Sequence, residues 1–200
     1  MLNKEESLEI MAKHRTDEVV ITTMGVSVPW GRISNHPLDY AFVGSAMGHT
    51  ADFGLGISLA RPEKKVIVIN GDGSMLMCLG TLTTITGLGK PASNYYLFVW
   101  ENGTYEVTGN QRIPVNPDFS FAAVARGAGF EKIYEFDQPD LLDASLPSIL
   151  DQAGPVFINL KVAHANEPPP NRRAKNPVRY LRPTLAESTH KLRKALATDN

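Results

Sequence analysis

Two hundred residues, 42% apolar and 20% charged, are enough for one sizeable core and ordinary for a soluble domain. A net charge of −1 gives no general pull toward nucleic acid, no apolar run approaches the length that spans a bilayer, and the single cysteine, Cys78, excludes an internal disulfide. With no basic segment leading into an apolar run at the N-terminus, the chain reads as cytoplasmic.

In chain order, residues 4–15 have the spacing of an amphipathic helix. Short runs rich in β-branched and aromatic residues follow at 19–23 and 40–43 and predict strands. A helix pattern over 50–60 leads to a third strand at 66–70, and a helix over 75–87 to a fourth at 96–100. Helix 119–128, strand 132–136, helix 141–151 and strand 156–160 complete the alternation. Strands that are apolar almost throughout suit a sheet covered on both faces. The prediction is therefore a doubly wound α/β fold, a mainly parallel six-stranded sheet with helices on both faces.

Beyond Ala163 the composition changes. Residues 161–200 hold nine Lys/Arg and three Asp/Glu, a balance of +6, which leaves −7 on residues 1–160. Pro168, Pro169, Pro170, Pro177 and Pro183 oppose regular structure until a helix pattern over 185–197. The expected organisation is a domain over 1–163 and a Pro-rich basic arm with a short helix over 164–200. That arm reads either as a solvated tail or as a strap for an acidic partner surface.

The chemistry concentrates at two strand ends. The third strand runs into Gly71-Asp72-Gly73-Ser74 and the fourth into Glu101-Asn102-Gly103-Thr104. Ligands of open α/β sheets bind outside the carboxyl ends of strands, and there Asp72 offers a charged oxygen and Asn102 a neutral one. One carboxylate, one amide and a carbonyl suit Mg2+, which keeps octahedral geometry and takes remaining ligands from phosphate oxygens. The glycines let backbone approach such a ligand closely. Taken singly, these residues have plainer readings: Gly-Asp-Gly as a turn, Ser74 as a helix cap, Met47 as core packing.

Gly71-Asp72-Gly73 followed by Glu101-Asn102 resembles the thiamine diphosphate motif, GDG and then NN some two dozen residues on, with Glu101 in place of the first Asn. Gly44-Ser45-Ala46-Met47-Gly48-His49 is similar to the loop that supports the bent cofactor in that family. With Thr108-Gly109-Asn110-Gln111, these segments most resemble the sulfopyruvate and phosphonopyruvate decarboxylase group, over about residues 19–160.

The resemblance implies thiamine diphosphate and Mg2+ as cofactors. Asp72, Asn102 and the Thr104 carbonyl would hold the metal, while Gly44, Ser45, Met47, Gly48, His49, Gly71, Gly73, Ser74 and Tyr105 would join them around the cofactor. His49 and Glu106 become catalytic candidates, although His49 could equally cap a helix or face solvent. Gln111 and Arg112 become candidates for the acidic group of a small 2-oxo acid, with a solvated loop as the alternative. In this family a glutamate on a separate pyrimidine-binding (PYR) domain activates the cofactor. The 70 residues before Gly71 are already used by the first strands, so that glutamate is expected from a partner subunit, in a hetero-oligomer.

The implied activity is decarboxylation of a 2-oxo acid to an aldehyde and CO2. A carboligase subunit of the acetolactate synthase kind shares the same motifs. A 2-oxoacid oxidoreductase does not fit, since one cysteine cannot ligate a four-iron cluster. A non-enzymatic Mg2+-phosphate binding domain is the alternative from another class.

Overall fold

The computed structural model describes residues 1–198. Helix α1 (Lys4–His14) opens on Asn3, whose side chain accepts the N–H groups of Glu5 and Glu6, and it places Lys13 and His14 in its last turn. The chain continues through β1 (Val19–Thr22), α2 (Met24–Ile33), β2 (Asp39–Ala41), α3 (Thr50–Ala60), β3 (Val66–Gly71), α4 (Asp72–Met77) and α5 (Gly80–Leu88). Then come β4 (Tyr95–Glu101), the short β5 (Thr104–Tyr105) and β6 (Gln111–Arg112), α6 (Phe121–Gly127), β7 (Lys132–Phe136), α7 (Pro139–Leu150), β8 (Val156–Lys161) and α8 (Leu185–Thr198).

Six strands form one sheet in the order β2-β1-β3-β4-β8-β7, and every pairing is parallel. Alternate side chains of the central strands enter two separate cores. Ile21, Val68 and Leu97 pack with Leu55 of α3, Ile85 of α5 and Phe121 of α6. Val20, Ile69 and Phe98 pack with Leu8 of α1, Trp30 of α2 and Leu146 of α7. Both faces are covered, as the unbroken apolar strands require.

Three features depart from the sequence expectation. Helix α2 carries no legible helical signal, because Gly25, Pro29 and Gly31 all lower propensity. Tertiary contacts explain Pro29 and Gly31. Pro29 has no N–H for the Gly25 carbonyl, which instead accepts Lys4 Nζ at 3.4 Å. A Cβ on Gly31 would lie 2.5 Å from the Tyr180 ring.

The single helix expected over 75–87 is two helices. Cys78 leaves the helical region at φ −139°, ψ 50°, and α5 restarts at Gly80 in a threonine-rich stretch of low propensity.

The arm is not a solvated tail. Leu192 and Leu196 of α8 enter the first core, Leu181 packs with Ala41 and Val43, and Tyr180 Oη bonds Thr22 Oγ1 at 2.8 Å and the Ser27 carbonyl at 2.7 Å. Its apolar residues repeat at helical spacing and find an uncovered flank beside β2, the sheet's edge strand.

Candidate active site

The chain leaves β1 toward the edge strand β2, and leaves β3 toward β4 on the other side. The connections that leave their carboxyl ends therefore diverge and open a crevice, the place where doubly wound sheets bind ligands. A cavity of about 250 Å³ lies there, lined by residues 23–26, 46–48, 71–74 and 104–108, with Lys4, Trp100 and Asn102.

Asp72 is buried in the wall at the end of β3. Its Oδ1 accepts from Gly73 N–H at 2.7 Å, and its Oδ2 from the N–H groups of Asn102 at 3.0 Å and Gly103 at 2.6 Å. Burial pushes its carboxyl up to about 6, opposed by those three donors and aided by the nearby Glu101 charge. A buried carboxylate with its proton affinity raised is a group in want of a cation.

Asn102 faces it from the end of β4. Its Oδ1 accepts from Thr104 N–H at 2.9 Å, an Asx turn that starts β5, and its Nδ2 donates to Glu106 Oε2 at 3.1 Å. Gly73 is required by close approach, since a Cβ there would sit 2.4 Å from the Tyr105 ring. Gly48 adopts φ +87°, and a Cβ on it would meet Met77 at 2.8 Å. Ser74 Oγ and Trp100 Nε1 are buried without a hydrogen-bond partner among the described residues, and both residues line the cavity. Ser74 is not the helix cap, because α4 begins two residues earlier at Asp72.

The structure brings Met47, Gly48, Gly71, Asp72, Gly73, Ser74, Asn102, Thr104, Tyr105 and Glu106 to one cavity. It leaves others out. Gly44 and Ser45 lie outside the lining, where Gly44 turns the chain at φ +79°. His49 points away: its Nδ1 bonds Asp52 Oδ2 at 2.5 Å, and its Nε2 lies 3.6 Å from Cys78 Sγ. Gln111 and Arg112 are exposed and do not line the cavity, because Gly109 and Asn110, both at positive φ, fold β6 back antiparallel to β5. Glu106 is in the wall but not free, as its carboxylate already receives Lys4 Nζ, Asn102 Nδ2 and the Glu167 N–H.

Sequence reasoning missed Lys4, which reads as a solvated helical lysine. It also missed residues 23–26, whose place at the mouth follows only from strand order. Among the described residues no helix is long and apolar enough to cross a membrane.

Comparison with known proteins identifies the family. Residues 11–160 match the model of the thiamine pyrophosphate enzyme C-terminal TPP-binding domain. The beta subunit of sulfopyruvate decarboxylase from Methanococcus maripaludis is 33% identical over 171 residues, 85% of this chain and 89% of that protein. Phosphonopyruvate decarboxylase from Streptomyces viridochromogenes is 31% identical over 76% of this chain, which spans 38% of that longer protein. Among solved structures, a thiamin diphosphate-dependent enzyme from Mycobacterium smegmatis superposes with a TM-score of 0.67 at 19% identity, over 82% of this chain and 32% of that one, a likeness of fold. The chain therefore belongs to the thiamine pyrophosphate enzyme family and carries its C-terminal TPP-binding domain.

Proposed function

We propose that this chain is the diphosphate-binding subunit of a two-subunit, thiamine diphosphate- and Mg2+-dependent decarboxylase of a small 2-oxo acid of the sulfopyruvate or phosphonopyruvate kind. The observation that carries this reading is the convergence of Asp72, Asn102 and the unpartnered Ser74 hydroxyl on one cavity at the switch point of the sheet. One buried carboxylate plus neutral oxygens matches the preference of Mg2+ for few carboxylates and phosphate oxygens. Asp72, Asn102 Oδ1 and the Thr104 carbonyl would hold the ion, and Ser74 Oγ would serve the diphosphate.

When bound, thiamine diphosphate supplies an electron sink for the pair released as the 2-oxo acid loses CO2. This chain's residues bind, orient and shield. The Asp72 carboxylate supplies the negative charge for the cation, and its three N–H donors fix its direction. Met47 and Met77 offer apolar surface at the mouth, 58% and 46% exposed, for the cofactor body and the partner subunit to cover. The partner is the PYR-type subunit that brings the activating glutamate, a reading supported by the beta-subunit name of a relative of nearly the same length.

The test is decarboxylation of sulfopyruvate, phosphonopyruvate, pyruvate and an aromatic 2-oxo acid by the chain with its partner, with products identified. Aldehyde and CO2 from an anionic 2-oxo acid, only when both subunits are present, is the expected result. Acetolactate-type products would instead make it a carboligase, and absence of Mg2+-dependent thiamine diphosphate binding would overturn the reading.

A further inference from the structure

Asn102 can serve a cation only through Oδ1, and an amide keeps one end facing a site only if its neighbours tell oxygen from nitrogen. Here they do. Oδ1 accepts from Thr104 N–H at 2.9 Å and from Thr104 Oγ1 at 3.2 Å, and Nδ2 donates to Glu106 Oε2 at 3.1 Å. A carboxylate only accepts, so a flipped amide would set oxygen against oxygen.

Glu106 is 9% exposed, and a buried carboxylate is costly unless it is paired. Its partner is Lys4 Nζ, on a side chain 6% exposed, brought across the sequence by α1. The start of α1 is itself pinned, with Leu2 N–H on the Lys161 carbonyl at 2.8 Å. Lys4 Nζ also donates to the Gly25 carbonyl, the acceptor that Pro29 leaves without its helical partner. Glu106 Oε1 takes the Glu167 N–H at 3.1 Å, so the carboxylate is held from both sides.

We propose that Lys4 and Glu106 are positioning residues for the metal centre: Lys4 holds the Glu106 carboxylate in the cavity wall, and that carboxylate fixes the Asn102 amide with Oδ1 directed to a divalent cation. The proposal rests on the Mg2+-diphosphate reading of the cavity. Partners that orient a metal ligand commonly change metal affinity by about 10- to 100-fold when removed.

The test titrates Mg2+ into the chain with its partner subunit at saturating thiamine diphosphate, read by tryptophan fluorescence, since Trp100 lines the cavity. Thermal unfolding is recorded in parallel. The neutral double variant Lys4→Met/Glu106→Gln removes the charge pair at nearly constant volume, a change that buried ion pairs often tolerate. Its Mg2+ half-saturation is expected to rise at least about tenfold with the unfolding midpoint near that of the wild type. A double variant with unchanged half-saturation would make the pair merely structural and overturn the proposal. If that variant does not fold, Glu106→Gln alone decides: its amide can present either end to Asn102, so a several-fold rise supports positioning and no rise overturns it. Failure of the wild-type protein to bind thiamine diphosphate with Mg2+ would instead remove the cavity reading on which the proposal stands.

Discussion

At the scale of single residues, the site is governed by one buried charge. Asp72 has its carboxyl raised from 3.8 to about 6 in the folded chain, chiefly by desolvation. A carboxyl raised on folding favours the folded state fully below its unfolded value, and that contribution is lost as pH climbs through about 6. At neutral pH the buried Asp72 anion is stabilised by three N–H donors but not fully repaid for its burial, and a cation adds the missing charge. Mg2+ with thiamine diphosphate should raise the unfolding midpoint more at pH 7.5 than at pH 5, where proton and metal compete for the same oxygens. Asp72→Ala should abolish the Mg2+-dependent stabilisation and with it the pH dependence; thermal shift across pH 5–8 checks this, and a pH-independent shift in the wild type would count against Asp72 as ligand. Asp72 and Asn102 were legible because each follows a strand beside a glycine and the two together match a motif at its spacing, whereas either one alone reads as a turn. Lys4 was not, because its partner Glu106 lies 102 positions away and no spacing rule spans that distance.

At the scale of elements, what was legible is what period and apolarity encode. All six strands of the large sheet and helix α3 sit where the pattern put them, to within a residue or two. Helix α2 stayed hidden because its Pro29 and Gly31 are explained by Lys4 and Tyr180, contacts formed only in the folded chain. His49 was a candidate through the resemblance of its loop and Gln111 and Arg112 through nearness to the metal loop, yet the direction of a loop side chain depends on backbone dihedrals that composition does not encode. Close packing of α3 on the sheet gives a second prediction. A Cβ on Gly54 would lie 2.2 Å from Val68 Cγ2 and 3.3 Å from Ile21 Cδ1, deep between helix and sheet. Gly54→Ala gains helix propensity, but overpacking of this kind costs about 1–3 kcal/mol, and packing should win. Urea unfolding should show a lower midpoint with an unchanged slope; a stabilised variant would mean that α3 slides freely on the sheet.

At the scale of the whole molecule, helix α1 and the start of the arm close on Glu106 from opposite sides of the sequence, and the arm has two separable duties. One is core completion: Leu192, 4% exposed, packs with the first core beside β2, so Leu192→Ala should cost about 2–5 kcal/mol in chemical unfolding while leaving Mg2+ half-saturation unchanged. The other duty is exercised where the arm begins. The Glu167 N–H reaches Glu106 Oε1 at 3.1 Å, and Asn166 Oδ1 accepts from Asn110 Nδ2 at 2.9 Å, so the first turn of the arm lies over the loop that carries Asn102 and Thr104. Glu167→Pro deletes that N–H and nothing else from the backbone donors, whereas Glu167→Ala keeps it. Both substitutions lose the ion pair to Arg32 at 2.8 Å, a link exposed on the arginine side and worth little by itself. The proline variant should therefore raise the Mg2+ half-saturation by up to about tenfold, and the alanine variant should stay near wild type. Equal behaviour of the two would show that the arm touches the site without holding it, and would confine its contribution to the core beside β2.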